Sequence, residues 1–142
     1  MRILCSLLAV SIVGMAAYFA FAQDQETPKP LSFESKLLEL MKERRATLHQ
    51  ALEYQKAQFL QGTVSLEDML KTEVALAHAD LEIAPTLAAR QIVHERLIKQ
   101  LRQQEEVALA KFKLGKVTHM NVFDAKSARL QAEIDMLKDR SE

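Results

Sequence analysis

Cysteine, tryptophan and glycine are almost missing from this chain. Among 142 residues there is one cysteine, no tryptophan, three glycines and three prolines. The cysteine is Cys5, inside an apolar N-terminal stretch, so the remainder can form no disulfide and offers no thiol nucleophile. No segment alternates apolar and polar residues with period two over a useful length, which excludes a sheet. Lys+Arg and Asp+Glu both number 19, so no basic excess points to nucleic acid. No block of like charge suggests a charged tail. There is no phosphate loop, no Ser-His-Asp grouping and no cofactor signature, so neither enzymatic activity nor a cofactor is expected.

The first residues differ from the rest. Arg2 is the only charge before Asp24, and Ile3 to Ala22 is apolar or small, ending Ala20-Phe21-Ala22. A basic start, an apolar run and a small-x-small end read as a signal peptide over residues 1–22, cut after Ala22. An uncleaved membrane anchor is the alternative, because the run approaches the ~20 residues that span a bilayer. Residues 23–31, with Pro28 and Pro30, read as a flexible leader. The rest is rich in Leu, Ala, Glu, Gln, Lys and Arg, the strong helix formers, and is long enough for one domain.

Within it the chain repeats itself. A shift of 53 positions lays Phe59 on Phe112, Gly62 on Gly115, Val64 on Val117 and Ser65 on Thr118, with Ala75 on Ala128 and Ala79 on Ala132. Such a period means one supersecondary unit used twice. Gly62 stands where a left-handed residue closes a helix. Ser65 follows as an N-cap, with Asp68 at the N3 place of a capping box. Val64 and Met69 form the hydrophobic-staple pair around that start. The second copy has Gly115, Thr118, Asn121, Val117 and Val122, with Asn121 weakening its box.

This grammar predicts an all-α chain of four helices. The first starts at a cap on Ser32 or Ser35 and ends near Gln61, with Leu37, Met41, Leu48, Leu52 and Phe59 as its stripe. The second runs from Leu66 to about Ile83, where Pro85 stops it. The third, capped by Thr86, reaches about Leu114, and the fourth spans about His119 to Asp139. Val122, Ala125, Ala132 and Met136 form the fourth stripe, with Leu130, Ile134 and Leu137 beside them. The expected architecture is two long antiparallel, coiled-coil-like hairpins, residues 32–84 and 85–142, with both glycine turns at one end. The alanines at 75, 79, 128 and 132 are small enough for close helix approach. Narrow stripes in a short chain can close as a four-helix bundle or be satisfied by self-association into a homo-oligomer.

The duplicated turn resembles the periplasmic hairpin ends of the TolC family of outer-membrane efflux and secretion channels. Family sequences carry a pattern like aromatic-x-x-Gly-x-x-Ser/Thr-x-x-Asp-Val-Leu, followed by Ala-rich helix. Phe59, Gly62, Ser65, Asp68, Met69 and Leu70 match it; Phe112, Gly115, Thr118, Val122 and Phe123 match again, with Asn121 in the Asp place. The resemblance covers roughly residues 50–83 and 103–137. It implies an exported, non-enzymatic periplasmic protein, outer-membrane associated, whose tips engage a periplasmic adaptor protein. Family members also carry barrel strands; this sequence has no candidate for one, so it is not expected to form a pore alone or to meet the membrane except through its first segment or its partners.

The remaining polar and aromatic residues offer little further chemistry. His49, His78, His94 and His119 provide no i, i+4 pair on one helix, so no metal site is expected. Glu105 and Glu106 read as a solvated face. Phe59 and Phe112 read as packing the hairpin ends. The partner-binding candidates are therefore Phe59, Gly62, Val64, Ser65 and Asp68 with Phe112, Gly115, Val117, Thr118 and Asn121. A periplasmic stress or chaperone-like protein is the rival reading.

Overall fold

The computed structural model describes residues 32–141. The expected signal segment, its cleavage after Ala22, Cys5 and the whole leader, residues 23–31, lie outside the described residues. Four helices follow: α1 (Phe33–Leu60), α2 (Leu66–Ile83), α3 (Leu87–Lys113) and α4 (His119–Asp139). Among the described residues there is no strand, and no helix is long and apolar enough to cross a membrane.

The breaks between helices have local causes. Ala84, ahead of Pro85, is extended at φ −64° and ψ 122°. Proline's ring excludes the preceding residue from the helical region, so α2 stops there. Thr86 restarts the chain, its hydroxyl accepting the Ala89 amide at 3.1 Å.

Ion pairs record how the helices run. Arg44 and Arg45 on α1 bind Glu82 and Asp80 on α2. Asp80 and Glu67 on α2 bind Arg96 and Lys111 on α3. Arg90 and Glu105 on α3 bind Asp139 and Arg129 on α4. In each set the numbering rises on one helix as it falls on the other, which requires antiparallel neighbours. Each helix packs only on its neighbours in sequence; α1 touches neither α3 nor α4. The result is an open row, α1-α2-α3-α4, and not a closed four-helix bundle.

The core sits in the middle of the row. Ala77, Leu97, Ile98, Leu101 and Ala132 are buried together, with Val74, Leu81, Val93 and Met136 packed against them. Leu70 and Leu97 are fully covered, and such burial contributes roughly 1.5–3 kcal/mol per leucine. The helix at the α1 edge is different: only Leu52 is buried along its length. Met41 and Leu48 of its expected stripe are half-buried, whereas Leu37 and Phe59 are exposed. Arg45 lies opposite Asp80, and α2 ends soon after at Ile83 while α1 extends back to Phe33. The first turns of α1 therefore overhang α2, leaving Phe33, Leu37, Leu38 and Leu40 uncovered. Among the alanines expected at close contacts, Ala79 and Ala132 are buried and Ala75 half-buried, but Ala128, one turn before Ala132 on α4, is exposed.

Two charge clusters stitch the row together away from the glycine turns. Asp80 is buried and bridges Arg45 and Arg96, joining three helices. Asp139 takes Arg90 at 2.7 Å and the buried His94 at 2.8 Å. Those bonds, Arg90 first, hold the Asp139 carboxyl well below its usual value, at about 2. Glu105, expected on a solvated face, is instead half-buried and bonded to Arg129 at 2.6 Å; Glu106 alone is exposed.

The paired glycine turns as a candidate functional site

Both turns are built the same way. Gly62 has φ 74° and Gly115 φ 66°, and no other described residue has positive φ. In the first turn the Gly62 amide donates to Phe59 O at 2.9 Å and the Thr63 amide to Gln58 O at 3.0 Å. In the second the Gly115 amide donates to Phe112 O at 2.8 Å and the Lys116 amide to Lys111 O at 2.9 Å. These paired bonds define a Schellman motif, which satisfies the last carbonyls of each helix. The recurrent Phe-x-x-Gly thus places the phenylalanine carbonyl one bond from the left-handed glycine.

The helix starts differ in detail. Ser65 is extended, and its oxygen accepts the Asp68 amide at 3.1 Å. The Asp68 carboxylate accepts the Ser65 hydroxyl at 2.6 Å and does not reach the Ser65 amide, so the expected reciprocal box is incomplete in copy one. In copy two Asn121 Oδ1 accepts both the Thr118 amide at 3.0 Å and its hydroxyl at 2.8 Å. Asn121, expected to weaken its box, supplies the return bond that Asp68 lacks. Val64, Met69, Val117 and Val122 are all half-buried.

A lysine brings the turns together. Lys111, in the last turn of α3, binds Glu67 in the first turn of α2. Lys71 holds the same carboxylate at 3.1 Å. The two ammonium groups, Lys111 first, keep Glu67 below the usual carboxylate range, and Glu67 in turn raises Lys71. Both side chains of the Glu67–Lys111 pair are more than a third exposed, so the pair contributes only about 0.5 kcal/mol; its value is in alignment. All ten candidate residues therefore gather at one end of the row.

That end is apolar at its surface. Leu60 is 86% exposed and Leu114 69%, each just ahead of its glycine, with Met120 and Phe123 exposed beside them. Phe59 stays on the surface at 39%, while Phe112 is half-buried against His119, with ring centres 4.3 Å apart. His119 stacks edge-on with Phe123 at 4.9 Å in turn. Leu60, Leu114 and His119 were not among the sequence candidates. Under the 53-position shift Leu60 falls on Lys113, Leu114 on Gln61 and His119 on Leu66, so none is marked by the repeat.

Elsewhere the chemistry is sparse. Among the described residues no three His, Cys, Asp or Glu side chains are grouped to hold a metal ion. A shallow groove between α3 and α4 is lined by Glu95, Ile98, Arg102, Glu133, Met136 and Leu137. Its Glu133 is held below the usual range by Arg102 and Arg129. Compared with known proteins, the chain matches no family model, no curated sequence and no solved structure. The resemblance to TolC-type channels thus rests on the duplicated turn alone.

Proposed function

We propose that this chain is an exported, periplasmic, non-enzymatic protein of two coiled-coil hairpins, residues 32–84 and 85–142, that works by helix–helix association through its glycine turns. On this reading residues 1–22 are the signal peptide that sends it there. It would act like the periplasmic helical portion of TolC-type channels, docking its outer-membrane-side assembly to the hairpin of a periplasmic adaptor protein. The observation that carries the reading is the gathering of two equivalent Schellman turns, aligned by Glu67–Lys111, with Leu60 and Leu114 projecting uncovered beside them. The antiparallel row by itself puts both turns at one end; the uncovered Leu60 and Leu114 there are what support a docking tip. The test is a Gly62→Val/Gly115→Val variant, compared for helicity and for adaptor association. Loss of association with helicity retained is the expected outcome; unchanged association by the folded variant removes the turns from the mechanism.

The rival, a holdase for unfolded chains, draws support from the exposed apolar side chains of α1 and α4. It predicts suppression of aggregation of a model unfolded protein, and its absence counts against that reading.

A further inference from the structure

Helix α4 carries two apolar seams with alternating steps of three and four. The first, Val122, Ala125, Arg129, Ala132 and Met136, faces α3: Ala132 is buried, the others are half-buried, and Arg129 bonds Glu105 across the contact. The second is Met120, Phe123, Ser127, Leu130, Ile134 and Leu137. At 3.6 residues per turn the seams lie roughly 160° apart around the helix. The second seam therefore points out of the row. Its five large apolar members are exposed, from 42% at Leu130 to 64% at Met120. Single exposed leucines are ordinary surface. A heptad seam running the length of one helix is half of a coiled coil.

Among the described residues, no other helix supplies the other half. The opposite edge of the row is α1, whose half-buried Met41, Leu48 and Gln55 and buried Leu52 mark the side toward α2. Its outward side is mainly polar, carrying exposed Glu39, Glu43, Gln50 and Glu53, with the exposed Tyr54 among them. A polar edge cannot cover an apolar seam, so head-to-tail stacking of α4 on α1 is disfavoured.

We propose that the α4 seam packs against the same seam of a second copy of this chain, antiparallel about a two-fold axis near Leu130. Leu130 then meets its own counterpart and Phe123 meets Leu137 of the second copy. Charge selects the direction. Asp124 and Lys138 lie on one flank of the seam near its opposite ends, and Lys126 lies on the other flank; none of the three has an ion-pair partner among the described residues. Antiparallel packing sets Asp124 beside Lys138 of the second copy, twice by symmetry, and brings Lys126 to Glu133 of the second copy, which already holds Arg102 and Arg129 of its own chain. Parallel packing leaves Asp124 and Lys138 at opposite ends and sets only Glu133 beside Lys138 of the second copy, one lysine–carboxylate pairing per copy against two in the antiparallel arrangement. Opposed helix dipoles favour the same direction. The pairing joins two open rows edge to edge. It shares only Met120 and Phe123 with the turn end and does not depend on the function proposed for the turns.

Sedimentation equilibrium of the full chain, carrying Cys5→Ser, tests it. The parent should have the mass of a dimer, and Leu130→Asp/Ile134→Asp that of a monomer with unchanged helicity, since both sites are exposed within one copy. Asp124→Lys should weaken the dimer about fivefold, by removing two exposed pairs, and adding Lys138→Asp should restore it. For direction, mixing Phe123→Cys and Leu137→Cys chains should give the mixed disulfide. A parent that stays monomeric at its highest soluble concentration overturns the proposal, as does a double-aspartate variant that remains a dimer. Disulfides that form only between two Phe123→Cys chains, or only between two Leu137→Cys chains, overturn the antiparallel direction.

Discussion

Replacing Gly62 or Gly115 by alanine isolates backbone strain from packing. A Cβ built on either glycine meets nothing within 4 Å, so no clash enters the comparison. Only the left-handed conformation matters, at φ 74° and 66°. Holding an L-residue there costs roughly 1–2 kcal/mol, and the lower entropy of an unfolded alanine offsets about 0.4–1 of that. The net loss is about 1 kcal/mol per turn. Asparagine tolerates the left-handed region, so Gly→Asn should cost only about a few tenths of a kcal/mol. Urea unfolding followed by circular dichroism at 222 nm measures each difference, and in thermal melts the alanine variants should unfold about 3–4 °C lower. The m-value should not change, because the surface exposed on unfolding is the same. Alanine variants as stable as the parent, or asparagine variants as weak as alanine, would refute the assignment of the cost to backbone conformation.

Two further outcomes follow from the same geometry. The Asp139 carboxyl is depressed from 3.8 to about 2 by Arg90 and His94. A depressed folded value stabilises above the unfolded value and is lost as pH falls, so the parent should lose stability relative to Asp139→Asn between about pH 4 and 2; parallel profiles over that range would contradict it. Amide exchange should be fastest in Phe33–Leu40, which overhangs α2, and slowest in α3 around Leu97 and Leu101, which are covered from both sides; equal protection of α1 and α3 would contradict the open row.

The boundaries of the helices were legible because their causes are local. A left-handed glycine, a serine or threonine cap and Pro85 act within a few residues of the break they make. Burial was legible only in part. Leu37 has the right period for a core position, but it is uncovered because α1 has 28 residues and α2 only 18, a mismatch of element lengths to which period alone is blind. Leu130, Ile134 and Leu137 stand beside the α3-facing stripe in any helical reading, and periodicity does not say which of two seams a neighbour covers. The bonds that align the helices, Glu67 to Lys111 at the turn end and Asp80 to its two arginines away from it, join residues far apart in sequence. No spacing rule announces them. The turn end itself was found through matched positions, which is why Leu60 and Leu114, out of register by one residue, escaped notice.

The central claim, association through the paired glycine turns, is tested most directly by chemical-shift mapping. Isotope-labelled chain carrying Leu130→Asp/Ile134→Asp, which removes the α4 seam from consideration, is titrated with the helical hairpin of a periplasmic adaptor protein. Shifts and broadening confined to residues 58–69 and 111–123 are the expected result. Perturbation centred on the outer face of α1 or on the α3–α4 groove, or none at saturating hairpin, would contradict it.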